Sequence, residues 1–156
     1  MTGRGLLLNE LDWIVKNCCA LLKLIKPADL DWRPADNFRT LAELANHLGQ
    51  ITAVDYRIIK GDGEMEIERL EQSLARENPA ELAKVMQDGA VDIRRFMERL
   101  NFDEYENGSA TAYFGRTQTH ARWLLEIVTH IYHHRSQLFM YLKLQGYEVS
   151  TRDLYT

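Results

Sequence analysis

The sequence predicts an all-α protein, a four-helix bundle with a long loop before its last helix. Three observations carry that prediction. Apolar residues recur at three- and four-residue steps in four stretches, helix-starting and helix-ending residues punctuate them, and 156 residues suffice to bury one core. Residues 1–156 therefore read as a single domain.

The first stripe runs from Leu7 through Leu11, Ile14, Val15, Cys18, Leu21 and Leu22 to Ile25, and Lys26-Pro27 stops it. After the polar link "ADLDWRPADNFR", Thr40 with Glu43 three residues on makes a capping box, so a second helix runs to about Lys60 and ends at Gly61-Asp62-Gly63. The acidic stretch from Glu64 to Glu77 fits either a loop or a short helix. Asn78, Pro79 and Glu81 open a third helix whose apolar face is Leu82, Val85, Met86, Ile93, Phe96, Met97 and Leu100. Turn residues with a few alternating β-formers between Asn101 and Gln118 read as a crossing loop with room for a short strand. The last helix spans about Thr119 to Gln145 and closes at Gly146.

A net charge of −4 gives no electrostatic reason to expect nucleic acid. Charged residues interrupt any N-terminal signal core and no apolar run reaches a membrane span, so a cytoplasmic protein without a membrane is expected. Cys18 and Cys19 are neighbours with no other cysteine to pair with, and Cys18 reads as core filling.

The chemistry concentrates in "THIYHHRSQL", residues 129–138, which holds three of the five histidines. At 100° per residue His130 and His134 share a face of the last helix with Trp123, Ile127, Gln137 and Tyr141, while His47 shares a face of the second with Leu44, Ile51, Val54 and Ile58. Two imidazoles one turn apart chelate one ion if a third approaches from a facing helix. Neutral imidazole suits zinc, nickel, copper and iron, so His47, His130 and His134 read as a three-histidine divalent site with a position left for water or substrate. Each histidine alone is more often a hydrogen-bonded core residue; their convergence favours the site. Ile131 follows His130, so the glutamate of H-E-x-x-H is missing, and the Glu-x-x-His pairs of a di-iron bundle are absent too.

Other residues carry paired readings. Glu126, one turn before His130, either orients a ligand or makes a peripheral salt bridge. His133 suits a hydrogen bond rather than a metal, and His120 in the first turn is expected to be exposed. Arg135 lies off the ligand face and suits a structural pairing; Asp55, about 80° off the face of His47, is expected to be solvated. Trp32, Tyr113 and Phe114 either wall a cleft or plug the bundle end. A second apolar stripe on the last helix, Leu125, Val128, Tyr132 and Phe139, needs a cover, and a homodimer interface is the preferred one.

The segment "TLAELANHLGQI" followed far downstream by "WLLEIVTHIYHHRSQLFMYLKLQG" resembles the DinB/YfiT-like family, over most of the chain. Ser136 stands where glycine is more usual, which leaves the ligands untouched. The resemblance implies a DinB-like four-helix bundle, often a homodimer, holding a divalent ion (zinc, nickel or iron) through histidines matching His47, His130 and His134. It also implies a range of activities: thiol S-transfer with bacillithiol, mycothiol or glutathione-like thiols, isomerisation, or hydrolysis. No residue matches a thiol-binding determinant. The expected function is a metal-dependent S-transferase or hydrolase taking a small-molecule thiol, against a non-catalytic stress-response bundle in which the ion is structural.

Overall fold

The structure, a computed structural model, describes residues 2–155. Four long helices form the bundle: α1 (Gly3–Leu22), α2 (Leu41–Ile59), α4 (Pro79–Arg99) and α6 (His120–Leu144), with a shorter α3 (Glu64–Leu74) between the second and third. The stretch after α4 is more ordered than a loop. It holds one helical turn, α5 (Phe102–Glu106), then a two-stranded antiparallel hairpin, β1 (Ser109–Thr111) and β2 (Thr117–Thr119), with Ala110 opposite Gln118. A last turn, α7 (Arg152–Tyr155), ends the described chain.

Most boundaries follow from capping. The Thr40–Glu43 box forms in both directions, Asn78 accepts from the Ala80 amide, and Thr119 accepts from the Arg122 amide. Gly146 takes φ +80°, the left-handed closure expected after α6. Helix α1 begins earlier than its apolar stripe because the Thr2 hydroxyl caps it at the Gly5 amide. The acidic stretch resolves to the helix α3, of which only Ile67 is buried. A second box, Asn101 with Glu104, starts α5 where the sequence reading had loop.

Helices α2 and α4 nest closely because two glycines lie between them. A Cβ on Gly89 would meet the Ala53 nitrogen and Thr52 Oγ1 at 2.5 Å, and one on Gly49 would meet Leu82 Cβ at 2.6 Å. Thr52 Oγ1 donates to the Met86 carbonyl at 2.7 Å across the same seam. With that face of α2 fixed on α4, the face bearing His47 is turned to α6.

Helix α6 is apolar nearly all round because it packs on both α1 and α2. Its second stripe is covered in part within the chain: Tyr132 stacks on Trp13 of α1 and its hydroxyl donates to Glu10. Val128 is buried as well, while Leu125 and Phe139 stay partly exposed. Among the described residues no helix is long and apolar enough to cross a membrane. Cys18 and Cys19 are free and buried, and burial pushes both thiols up, Cys19 to about 11, so neither is a nucleophile near neutral pH.

Candidate metal centre

Helices α2 and α6 bring the three predicted histidines together. One ring nitrogen from each of His47, His130 and His134 lies within 4.8 Å of the others. The Nε2 atoms of His47 and His134 face each other at 3.0 Å. Nitrogens sharing one tetrahedral zinc at about 2.0–2.1 Å stand about 3.3 Å apart, so this pair is already near the spacing, and the third donor lies within 4.8 Å of both. The all-imidazole donor set and its convergence fit a divalent ion.

The outer nitrogens are engaged, which aims the inner ones. His130 Nδ1 is 3.0 Å from Asp55 Oδ2, and His134 Nδ1 is 2.8 Å from Gln137 Oε1. Both acceptors fix the proton on Nδ1 and leave Nε2 as a lone-pair donor. In this arrangement His47 Nε2 supplies the proton between the two facing rings, a proton that an ion would replace. Burial, then the neighbouring histidines and the Arg39 guanidinium, hold His47 down at about 3; burial foremost holds His134 at about 4. Both rings are neutral near pH 7, the state in which imidazole binds metal.

Asp55 corrects the sequence reading. Its side chain is 19% exposed rather than solvated, because the imidazole of His130 leans across the α2–α6 seam to meet it. Burial raises its carboxyl, and the hydrogen bond from His130 opposes that rise. Helical phase counted 80° from His47 as off the face; a long partner side chain widens the face. Glu126 takes its peripheral role: Arg116 Nη1 donates to it at 2.6 Å and Gln118 Nε2 donates to its other oxygen, so it anchors the hairpin rather than a ligand. His133 accepts from Gln137 Nε2 at 3.2 Å, as expected of a hydrogen-bonding residue. His120 is half-buried rather than exposed, with Nδ1 2.8 Å from the Glu104 carbonyl oxygen. Arg135 is buried on the opposite face, where it donates to Asn17 and to the Leu154 carbonyl.

Beside His47 and His130 opens a pocket of about 490 Å³, of the size that takes a small molecule. Tyr113 and Phe114, at the tip of the hairpin, line it; Trp32 instead packs edge-on against Tyr141 at 5.4 Å, towards the bundle end. Trp123 Nε1 donates to the Ala110 carbonyl at 2.9 Å and ties the hairpin to α6. Sequence spacing gave no signal for the hairpin's placement, since that depends on a tertiary bond.

This architecture has relatives. The model of one protein family, the DinB superfamily, matches residues 10–138. A crystal structure of a protein assigned to the DinB family from Exiguobacterium sibiricum 255-15 is 30% identical, with a TM-score of 0.81 over 96% of each chain. A DinB-like protein from Bacillus subtilis is 17% identical with a TM-score of 0.72, covering 92% of this chain and 94% of that one. Another from Bacillus cereus ATCC 10987 is 16% identical with a TM-score of 0.70, covering 92% and 93%; these two share the fold. No curated protein matches the chain.

Proposed function

The chain belongs to the DinB superfamily, and on that footing we propose that it is a metal-dependent enzyme, a thiol S-transferase or a hydrolase. His47, His130 and His134 would hold one divalent ion (zinc, nickel or iron). The observation that carries this reading is the convergence of three imidazole nitrogens, with the rings of His47 and His130 lining a pocket and that of His134 buried behind them. An ion held there with an open position lowers the pKa of a water or thiol that reaches it. The chain's own residues do the rest. Asp55 and Gln137 fix the proton on the outer nitrogens of two ligands, and the hairpin aromatics with Trp123 give the pocket an apolar wall.

The test is metal analysis of protein purified without a histidine tag, followed by zinc titration and assays of thiol conjugation and ester hydrolysis. One ion per chain, with turnover that disappears on chelation, is the expected result. One ion per chain with no turnover across thiols and esters, and a large thermal destabilisation on chelation, would instead mark the ion as a pin between α2 and α6. The absence of stoichiometric metal would end both readings. The proposal includes a homodimer. Phe38, Met140 and Leu144 leave apolar side chains at least half exposed around one shallow groove on α6, the surface a second copy would cover. A monomeric mass in light scattering at micromolar concentration would remove that part.

A further inference from the structure

The pocket beside the histidines has a chemical preference of its own. Its floor is apolar and buried: Val54 and Ile58 from α2, Ile67 from α3, Trp123 and Ile127 from α6. Its mouth carries Tyr113 and Phe114, 44% and 56% exposed, their rings edge to face at 5.2 Å. Two exposed aromatic rings at the tip of a hairpin over a pocket present faces and edges to whatever enters.

The full charges on the wall all have one sign. Asp55, Glu71 and Glu126 line the pocket, and no lysine or arginine does. Asp55 is engaged by His130 and Glu126 by Arg116 and Gln118, but among the described residues the Glu71 carboxylate has neither a hydrogen bond nor an ion pair. Arg39, whose charge reaches His47 and His134, is not part of this wall. An entering carboxylate or phosphate would lose water and gain no cation away from the histidines, whereas an ammonium would meet Glu71 and the faces of the aromatic rings.

We propose that this pocket receives the aromatic or alkyl body of a neutral or cationic molecule whose reacting atom faces the histidines, and that Glu71 selects against acids. The inference rests on the reading of those histidines as the reaction centre, but its test does not need the ion. The probes are 2-naphthylmethanol, 2-naphthylmethylammonium and 2-naphthoate, titrated calorimetrically into the full-length chain after chelation. The alcohol and the ammonium should compete for one site, with naphthoate at least about ten-fold weaker than either. Phe114→Ala should weaken the alcohol about five-fold. Glu71→Gln should remove the advantage of the ammonium and narrow the gap to naphthoate. Both side chains are exposed, so neither variant endangers folding. Naphthoate binding as tightly as the alcohol, indifference to Phe114→Ala, or no binding by any probe would overturn the proposal. Zinc titration of the same preparation reads the other claim: no zinc uptake with the ranking intact sinks the metal centre and leaves the pocket preference standing.

Discussion

His134 and Arg135 are neighbours in the chain, each 6% exposed, and they face opposite sides of α6. On the α1 side the guanidinium of Arg135 donates to Asn17 Oδ1 and the Leu154 carbonyl, and lies 4.7 Å from the centre of the Tyr132 ring. Asn17 in turn donates to the Asp153 carbonyl, so only Arg135 Nε is left over. On the α2 side the protein satisfies the outer nitrogens of His130 and His134 and leaves their inner ones pointing at one another's space. Equal burial thus hides opposite roles. One face uses its polar groups up in holding α1, α6 and α7 together, and the other turns three imidazoles toward one another, two of them sharing a proton.

The largest expected effect tests the open face: His134→Ala should abolish stoichiometric metal in a zinc titration while the helical circular dichroism stays, and unchanged metal content would remove His134 from the site. Next, Arg135→Met should cost about 2–3 kcal/mol by orphaning Asn17 Oδ1 and the Leu154 carbonyl. That is a fall in Tm of roughly 5–10 °C with zinc stoichiometry intact. Loss of metal in that variant, or an unchanged Tm, would erase the contrast between the faces. Asp55→Ala should lower zinc affinity by about 10–100-fold, measured by chelator competition, with Asp55→Asn closer to wild type because it keeps the acceptor for His130.

A smaller effect appears in the metal-free chain as a function of pH. His47 and His134 sit at about 3 and about 4 in the folded state and near about 6.5 when unfolded, so the unfolded chain takes up protons first as pH falls. Their contribution to stability is complete above about pH 6.5 and is lost progressively towards pH 4 and below. A His47→Gln, His134→Gln chain should show a flatter dependence of Tm on pH between those limits. The smallest expected signal is from the cysteines. Iodoacetamide at neutral pH should leave Cys18 and Cys19 unlabelled in the folded protein, as mass spectrometry would show.

What the sequence made readable was what depends on local period and capping. The stripe from Leu7 to Ile25, the Thr40–Glu43 box, Asn78-Pro79 and Gly146 each act within a few residues, and they placed the four long helices. His47, His130 and His134 were legible because helical phase turns them inward and the bundle leaves few ways to arrange α2 and α6. Asp55 was misread because its partner comes from 75 residues away, and phase on one helix cannot count it. The turn α5 starts at a local box, Asn101 with Glu104, of the same kind as Thr40 with Glu43, but the hairpin hides in a polar stretch whose order rests on Trp123 and Glu126 of a later helix. Periodicity shows that the second stripe of α6 needs cover without saying what provides it, and Tyr132 finds part of that cover on Trp13 of α1.

The hairpin tip has one more consequence. After the buried Ala112 the chain turns back through Gly115, at φ +86°, and Tyr113 and Phe114 stand exposed at the pocket. Insertions or swaps at residues 113–115 would reshape the mouth of the pocket without touching His47, His130 or His134. The shape of the opening and the spacing of the three imidazoles are thus set by different parts of the chain, one by a hairpin tip and the other by two packed helices.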